Sequence, residues 1–545
     1  MKKTVLILLL TVIYFSGKAQ VDSINNSLFK KTFFSNQLFN IISNETVLKV
    51  NSHSEIFSFP YSTSDKKIKH LDIDINELTE TFITEEACKI GNKKIELDKL
   101  FTMNNHYFMI GHTDNCDNPA IVNCSFQFYI LPFDIHSWSC NGEPKLIYET
   151  TEGAFRNDDF PFRFFDFSIS LDSLNIVFVF NHDRKKSDLQ SFHAVMLDNE
   201  INLKFSKDLE LKYTNEEFIY NGVMLTNSGQ IIMKGYVEIP NSEYKMENAG
   251  LFKPIFPSDI ISNRLKEHRN IWLSHVIVFS SIGDEVWDYQ FANSSIKDEG
   301  VCIKLLKNNH ILYSGYFSDM TSYIEDGIFI NELDPVNKSV VKNIKKQFEP
   351  ELIKKAIGDS DYNEGNRISY YKILDIINRE NGKYYMISEK RYLYYYNSPN
   401  GSGYAAVYKN IMVASISSEL NIDWISDFKK SQNDNLMLGG GLVKFYSNEK
   451  LYFMWNASMP FDKNSNQDEI VKSAGIYSPG NFVACSTVLP DGKVEYRKLN
   501  KIPGTLLLHP DESVLLDKSH LLITADCVLR NPYSRFKGIQ IINLK

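Results

Sequence analysis

The hydrophobic positions of this chain come in short runs that polar residues interrupt every few positions. The segment 164–180, FFDFSISLDSLNIVFVF, shows the pattern clearly, with two apolar runs on either side of a polar turn. Runs of this kind, bounded by Asn, Asp, Gly and Ser, are typical of β-strands joined by tight turns. Helical spacing of apolar residues is scarce. The pattern therefore predicts an all-β chain of short strands.

A strand–turn–strand unit recurs along the sequence. Further copies of the unit in 164–180 lie at 223–237, 302–317, 371–389 and 436–455. The dipeptide Asn381-Gly382 marks the turn of one copy, because Asn-Gly favours a two-residue hairpin. A second strand pair follows each copy, so that each unit offers about four strands.

The spacing of the units favours one closed ring of similar sheets. Corresponding halves are roughly 60–80 residues apart, which is long for a repeat and implies long loops. Small sheets that stack around an axis bury both faces and leave only short edges exposed. We therefore expect a β-propeller of four-stranded antiparallel sheets over residues 46–545, with seven blades counted from Leu100. Residues 46–75 either add strands to the last blade or form an eighth blade. A pair of separate β-domains is the alternative, because the period is irregular.

Three segments are candidates for helices. Residues 23–39, inside the N-terminal region 20–45, predict one short helix or an extended arm. Residues 349–357 (EPELIKKAI) predict a helix with Pro350 in its first turn. Residues 265–272 are a weaker candidate.

The N-terminus has the three parts of a secretory signal peptide. Two lysines precede an apolar run over residues 4–15, and Gly17 and Ala19 supply small residues before a cleavage site. A short membrane anchor is the alternative, although the run is short for a permanent span. We expect residues 1–19 to be cleaved after Ala19, leaving a secreted or periplasmic protein with no later membrane-spanning segment. No Cys stands at the cut, so we expect no lipid anchor.

The amino-acid composition is that of an ordinary globular protein, and the net charge is acidic. The chain has 545 residues, of which 43% are hydrophobic, and its 29 Tyr and 37 Phe favour strands. The formal net charge is −8, and loss of residues 1–19 removes lysines but no acidic residue. Binding to nucleic acid needs a basic patch. We therefore expect no nucleic-acid partner, and a protein or glycan ligand of unknown identity.

Seven cysteines leave at least one thiol unpaired in an oxidising compartment. Cys116 and Cys124 flank a turn-rich stretch, and they either form a local disulfide or stay reduced. The apolar surroundings of Cys302, Cys485 and Cys527 favour buried thiols. No Cys/His cluster indicates zinc.

Two loops alternate oxygen-bearing side chains as calcium loops do: 359–365 (DSDYNEG) and 462–469 (DKNSNQDE). In the first, Glu364 and Tyr370 stand where an EF-hand loop needs Gly and Glu. A plain acidic loop is therefore the favoured interpretation, and we predict no metal ligands and no cofactor.

A dense aromatic cluster precedes the loop 397–403 and consists of Tyr392, Tyr394, Tyr395 and Tyr396. Such rings either stack on a sugar or a partner protein or fill the space between blades, which is the favoured interpretation. His106 and His112 are close in sequence but have no obvious third ligand. GxSxG and HExxH motifs are absent. We therefore assign no catalytic, cofactor-binding or metal-binding residue.

One strand–turn–strand resembles those of known bacterial propellers. The segment 170–178, SLDSLNIVF, is similar to the S-x-D-G-x-x-I-x-F of TolB-like and WD40-like blades, with Ser173 where those families usually have Gly. The segment 424–428, WISDF, resembles large secreted bacterial propeller proteins of unassigned role. The resemblance covers single blades, so it implies the fold and at most a binding role.

Two functional hypotheses follow. The first is an exported propeller that acts as a binding or scaffold module rather than an enzyme. The alternative is a polysaccharide-acting propeller hydrolase or lyase, with carboxylates and Tyr near the central axis. An enzyme should bring such side chains from different blades into one site, whereas a scaffold should not. A structural surface protein without a small ligand is a third hypothesis.

Overall fold

A computed structural model gives the structure of the chain. It describes residues 29–34, 55–58, 69–73, 80–84, 89–90, 93–104, 106–116, 124–134, 139–140, 142–150, 165–181, 188–239, 252–253, 271–291, 301–317, 324–325, 327–357, 368–369, 371–379, 382–398, 401–434, 442–457, 482–498, 505–517, 520–528 and 535–543.

Almost all of the described elements are strands. The first group comprises β1 (Phe29–Phe34), β2 (Glu55–Ser58), β3 (Lys69–Ile73), β4 (Glu80–Thr84), β5 (Lys89–Ile90), β6 (Lys93–Lys94), β7 (Glu96–Met103), β8 (His106–Cys116), β9 (Cys124–Asp134), β10 (Ser139–Cys140) and β11 (Lys145–Thr150). The second group comprises β12 (Phe165–Ile169), β13 (Asn175–Asn181), β14 (Leu189–Asp198), β15 (Leu203–Thr214), β16 (Phe218–Leu225), β17 (Ile231–Ile239), β18 (Phe252–Lys253), β19 (Ile271–Phe279), β20 (Glu285–Gln290), β21 (Cys302–Leu305), β22 (Ile311–Phe317), β23 (Ile324–Glu325), β24 (Gly327–Asp334) and β25 (Ser339–Gln347).

The C-terminal elements follow one helix, α1 (Pro350–Ile357). They comprise β26 (Ile368–Ser369), β27 (Tyr371–Asn378), β28 (Tyr384–Ser398), β29 (Gly401–Ile416), β30 (Ile422–Asp434), β31 (Val443–Ser447), β32 (Lys450–Ala457), β33 (Phe482–Val488), β34 (Val494–Lys498), β35 (Thr505–Asp517), β36 (His520–Val528) and β37 (Arg535–Asn543).

The strands form successive antiparallel sheets that each follow the chain in order. Four sheets have the orders β12-β13-β14-β15, β16-β17-β19-β20, β21-β22-β24-β25 and β31-β32-β33-β34. Two more carry a fifth strand, β10-β9-β8-β7 with β11 on β9, and β18-β28-β29-β30 with β27 on β28. A further four-stranded sheet, β1-β37-β36-β35, joins the first described strand to the last. The strands β2, β3 and β4 form a three-stranded sheet of their own.

The described residues fall into two compact units. The larger unit spans 90–393 and 411–427, and it contains the sheets from β7 to β25. The smaller unit spans 1–89, 394–410 and 428–545, and it contains the sheets β31–β34 and β1-β37-β36-β35.

Within the larger unit, burial shows that neighbouring sheets pack face to face. All seven residues of β13 (NIVFVFN) are buried, so both faces of this second strand are covered. Its even-numbered residues pack with Phe108 and Phe128 of the preceding sheet. Its odd-numbered residues pack with Phe218 and Leu225 of the following sheet. Equivalent apolar clusters join the next sheets in turn. The fourth strands β15 and β25 are instead largely exposed.

The first strands of neighbouring sheets lie against each other. Strand β12 contacts β16, β21 contacts β27, and in the smaller unit β31 contacts β35. Ordered four-stranded sheets that pack face to face and meet at their first strands have the architecture of propeller blades. The predicted fold class, an all-β β-propeller of four-stranded antiparallel sheets, is thus confirmed. The number of seven blades stays a prediction.

The N-terminal segments differ from the sequence-based expectation in part. In residues 23–39, the described part is the strand β1, which pairs with β37 and is not helical. The strand added to the last sheet therefore comes from 29–34, whereas the described parts of 46–75 pair with each other and with β4. The predicted helix at 349–357 is confirmed, with Pro350 as its first residue. Of 265–272, the described residues Ile271 and Trp272 begin a strand.

The cysteines lie largely where the sequence indicated. Cys116 and Cys124 stand directly opposite each other in the β8–β9 pair. Opposed residues in antiparallel strands have Cα atoms about 4.5–5.5 Å apart, which suits a disulfide. Their side chains are outside the described residues, so the disulfide stays a prediction. Cys485 is buried, as predicted, whereas Cys302 is only half-buried, and the side chain of Cys527 lies outside the described residues.

The turn between β12 and β13 shows why the blade motif usually contains Gly. Ser173 has a φ of 58° and donates its backbone N–H to the Ser170 carbonyl at 2.8 Å. The equivalent turn of the next sheet has Gly229, with a φ of 84°, which donates to the Thr226 carbonyl at 3.0 Å. Ser173 therefore bears the cost of a left-handed conformation that glycine avoids.

We expect Ser173→Gly to raise the free energy of unfolding by about 0.5 kcal/mol, since the left-handed cost of about 1–2 kcal/mol exceeds the extra entropy that glycine loses on folding. Urea unfolding measures the change. The matched control Gly229→Ser should lower stability, because its Cβ would also stand 3.3 Å from Ser281 Cβ. A less stable Ser173→Gly protein would contradict this account of the turn.

Candidate functional site

The residues that the sequence singled out do not come together in the structure. His106 is exposed, whereas His112 is buried against the rings of Phe126 and Phe128 at 5.9 and 5.7 Å. The two histidines are six positions apart on β8, a rise of about 20 Å, so they cannot share a metal. The loops 359–365 and 462–469 lie outside the described residues.

The tyrosine cluster lies on the long strand β28. Tyr392 is half-buried there, and the side chains at 394–396 are outside the described residues. Strand β28 ends at Ser398 and β29 begins at Gly401, so the loop predicted at 397–403 is mostly the end of a hairpin. The choice between a stacking surface and a packing role stays open.

A polar cluster that the sequence did not indicate lies where two first strands meet. Asp166 of β12 accepts a hydrogen bond from the Tyr220 hydroxyl of β16 at 2.8 Å and from the Val223 N–H at 3.2 Å. A bulge between Tyr220 and Val223 turns this N–H away from the β17 ladder. We call Asp166, Tyr220, Gly222 and Lys234 the inner cluster.

The bulge brings a lysine beside this carboxyl group. Gly222 has a φ of 123°, and a Cβ at this position would stand 2.6 Å from Lys234 Cε and 3.7 Å from Asp166 Oδ2. Only a residue without a side chain leaves room for this approach. Glycine at 222 therefore permits the contact between the lysine stem and the bulge.

The surroundings of Asp166 raise the pKa of its carboxyl group. Burial raises the pKa of Asp166, against the hydrogen bonds from Tyr220, from the Phe167 and Val223 N–H groups and the charge of Lys234. Tyr220 is buried, and burial with the adjacent Asp166 raises its pKa well above the usual range. Asp166 itself is only half-buried. The cluster thus contains a carboxyl group that holds its proton more readily than usual.

A second polar cluster joins the outer strands of the same two sheets. Asp288 of β20 accepts from His275 Nδ1 at 3.0 Å, from the Tyr213 hydroxyl at 2.6 Å and from Lys212 Nζ at 2.6 Å. His275 and Asp288 belong to one sheet, whereas Lys212 and Tyr213 belong to β15 of the preceding sheet. We call these four residues the outer cluster.

The outer cluster holds an ionised carboxylate. Burial acts to raise the pKa of Asp288, but the hydrogen bonds from His275, Lys212 and Tyr213 outweigh it and lower the pKa to about 2. Burial, together with the Asp288 carboxylate, raises the pKa of Tyr213. Since an ionised carboxylate only accepts hydrogen bonds, His275 Nδ1 must carry the proton of this contact.

Both clusters belong to the interface between the sheets β12–β15 and β16–β20, whose apolar part includes Phe192, Tyr220 and Phe218. We call this region the inter-sheet site. The signal for it in the sequence is weak: Asp166 is a single charge inside an apolar run, and its partner Tyr220 is 54 residues away.

Other histidine–carboxylate pairs lie apart from this site. His193 Nδ1 contacts Asp208 Oδ1 at 2.6 Å, and His310 Nδ1 contacts Glu332 Oε1 at 2.6 Å. His193 and His275 occupy equivalent places, opposite Phe180 and Gly235 on their second strands. A histidine on the third strand is therefore a repeated feature of these two sheets. Among the described residues, no three His, Cys, Asp or Glu side chains group as metal ligands.

Comparisons with known proteins concern the arrangement of strands. No protein-family model and no curated protein matches the sequence. Solved structures that are similar include the polysaccharide lyase Uly1 (11% identity, 84% of this chain and 94% of that one, TM-score 0.35). They also include the β-propeller domain of the trilobed protease from Pyrococcus furiosus, with 12% identity over 84% of this chain and 97% of that one and a TM-score of 0.32. The WD40 domain of SCAP from fission yeast has 9% identity over 91% of this chain and 92% of that one, with a TM-score of 0.34. Similarity at this level identifies neither a ligand nor an activity. In the part of the chain that the structure describes, no helix has the length and apolarity of a membrane span.

We expect Asp288→Asn to lower the free energy of unfolding by about 2–3 kcal/mol at pH 7. This is the stability that a carboxyl group contributes when folding lowers its pKa from 3.8 to about 2. A lowered pKa stabilises the fold above the unfolded-state pKa. The difference between wild type and variant should therefore be full above about pH 5 and shrink as the pH falls through 4 to 2. Urea unfolding across this range measures it.

Asp208→Asn is the matched control, because Asp208 also pairs with a histidine but has a side chain that is 57% exposed. A pair so exposed should contribute at most about 1 kcal/mol. Equal losses in the two variants would contradict the buried role of Asp288.

Proposed function

We propose that this chain is an exported β-propeller binding module whose ligand contacts the inter-sheet site. The observation that carries the proposal is the partly exposed residue Asp166, whose carboxyl group accepts hydrogen bonds from Tyr220 and Val223 of the next sheet, near the charge of Lys234. Groups fixed from two rigid sheets are pre-organised, so a ligand loses less free energy on ordering them.

The protonation states support recognition. Tyr213 and Tyr220 both have raised pKa values, so each keeps its proton and acts as a hydrogen-bond donor. A tyrosine that serves as a general base needs the opposite shift. Asp288 already accepts three hydrogen bonds and is committed to holding the two sheets together.

A polysaccharide-acting hydrolase or lyase is the second candidate, and the raised pKa of Asp166 favours it. A carboxyl group that titrates closer to neutral pH can exchange a proton with a substrate. Lys234 beside it would balance the charge of an acidic sugar. The two candidates therefore share Asp166 and differ in whether a bound polysaccharide is cleaved.

The experiment compares wild type with Asp166→Asn on a panel of immobilised polysaccharides, with binding and product release measured together. We expect wild type to bind at least one polymer without cleaving it, and Asp166→Asn to bind it at least about tenfold more weakly, as loss of a charged hydrogen-bonding group does. Glu200→Gln, an exposed turn residue of the same sheet, is the control and should bind normally.

Two results would change the conclusion. Cleavage that Asp166→Asn abolishes would establish the hydrolase or lyase. Binding that is equal in wild type and Asp166→Asn would show that the ligand contacts another part of the surface.

Export is tested separately. We propose that residues 1–19 direct secretion and are removed, which places the mature protein outside the cytoplasm. Expression in a bacterium with an intact secretory pathway, followed by N-terminal sequencing, should give a mature chain that begins at Gln20. A chain recovered from the cytoplasm with Met1 still attached would contradict this part of the proposal.

A further inference from the structure

The two outer strands of the sheet β12–β15 carry a chain of three polar side chains apart from the inter-sheet site. His193 of β14 contacts Asp208 Oδ1 through Nδ1 at 2.6 Å and the Ser206 hydroxyl through Nε2 at 2.8 Å. Asp208 and Ser206 both belong to β15. We call these three residues the outer-strand triad. A carboxylate, an imidazole and a hydroxyl joined in this order are the groups that activate a serine nucleophile.

A bulge in β15 brings the triad to one face of the sheet. The pairing register between β14 and β15 shifts by one residue just before Ser206. Asp208 is consequently opposite His193, a place that Lys207 would take in a regular ladder. Ser206 lies two positions before Asp208, so its hydroxyl points to the same face. The bulge therefore decides that the imidazole meets a hydroxyl and a carboxylate.

The preceding sheet holds the imidazole ring in its plane. Tyr148 of β11 stacks on His193, with the ring centroids 4.6 Å apart and the planes at 22°. Tyr148 is itself stacked on the buried ring of Phe180 at 4.4 Å. The triad is nevertheless open to solvent, because Ser206 is exposed and the Asp208 side chain is 57% exposed. A substrate can therefore approach the hydroxyl group while the base stays fixed.

The two contacts of the ring give each nitrogen a distinct role. An ionised carboxylate only accepts hydrogen bonds, so the nitrogen facing Asp208, Nδ1, carries a proton. In the neutral form of the ring, Nε2 is then the acceptor, and it faces the hydroxyl of Ser206. This is the tautomer that a general base needs to take the proton of a serine during its attack.

The edge of the sheet supplies donors for a reacting carbonyl group. Strand β15 is the outermost strand of its sheet, so alternate backbone N–H groups along it point away from β14. Such groups stabilise the negative charge that develops on a carbonyl oxygen under attack. Water weakens this stabilisation at an open site. An ester, whose alcohol leaves more readily than an amine, therefore suits the triad better than an amide.

We propose that the outer-strand triad hydrolyses carboxylic esters that have a short acyl group. Ser206 Oγ forms a bond to the ester carbonyl carbon while its proton passes to His193 Nε2. The bond between that carbon and the alcohol oxygen breaks, and the alcohol leaves with the proton. A water molecule then gives a proton to His193 and attacks the acyl group, and the carboxylic acid departs as Ser206 regains its proton.

The surroundings of Ser206 indicate the size of the substrate. The hydroxyl lies on an exposed outer strand, and the flat ring of Tyr148 against His193 is the apolar surface beside it. A short acyl group such as acetyl can contact this ring without needing a deep pocket. The activity is separate from the binding proposed for the inter-sheet site, because the two sites share no residue.

The experiment treats the full chain with a fluorophosphonate probe, which bonds to an activated serine as fluoride leaves, and locates the adduct by mass spectrometry of peptides. Hydrolysis of p-nitrophenyl acetate is measured in parallel. Wild type should carry the adduct on Ser206 and should release p-nitrophenol with saturable kinetics. The probe reports activation of the hydroxyl group, whereas a hydrogen bond that only holds two strands together gives no adduct.

Three variants test the separate roles. Ser206→Ala should remove the adduct, and both it and His193→Gln should lower kcat/KM at least about a hundredfold, the usual contribution of general-base catalysis. Asp208→Asn should lower kcat/KM at least about tenfold, because the ring loses the partner that fixes its tautomer. The matched control is Ser339→Ala, because Ser339 is also an exposed serine on a fourth strand, β25 of another sheet. It should keep the wild-type kcat/KM, and thermal unfolding verifies that every variant is folded.

Three results would overturn the proposal. The first is wild type without an adduct on Ser206, and the second is a kcat/KM that is equal in wild type and Ser206→Ala. The third is an adduct that forms as fast in His193→Gln as in wild type. In each case the triad only joins β15 to β14. The polysaccharide assay with Asp166→Asn does not involve the triad, so the proposed binding function stands or falls independently.

Discussion

The structure depends on the burial of each inner strand on both of its faces. A strand such as β13, with all seven residues buried, is stable only when a sheet lies on either side of it. This requirement stacks the sheets of the larger unit one upon another and brings first strands together, while the fourth strands carry the polar surface. Apolar burial of this kind is not directional, so turns and polar contacts must fix how each sheet sits on the next.

Polar groups inside the apolar interfaces supply that direction. Asp166 and Asp288 each come from one sheet and find their donors on the neighbouring sheet or across both. Burying a carboxyl group without such partners would cost more than the contact returns. The same interface leaves Asn181 Oδ1, Gln190 Oε1 and His275 Nε2 buried without a hydrogen-bond partner.

Much of the local structure could be predicted from the sequence. The strands of 164–180 and their turn follow from alternating apolar and polar residues, and Ser173 takes the left-handed conformation that the blade motif demands. The helix after Glu349 follows from Pro350 at its first turn. The place of β1 in the last sheet could not be predicted, because its partner β37 is some five hundred residues away and no hairpin links them. Neither cluster of the inter-sheet site could be predicted, since Tyr213 and Asp288 meet 75 residues apart in sequence.

The sequence by itself determined an all-β chain, the positions of most strands and turns, and the hydrophobic repeat that requires sheets to stack. These properties depend on residues close together along the chain, whose periodicity and turn chemistry act locally. Only the tertiary structure decided which strands close the last sheet and which polar side chains meet at the inter-sheet site. Those outcomes depend on the register and the facing of separate sheets, because a shift of one residue would turn Asp166 or His275 to the opposite face.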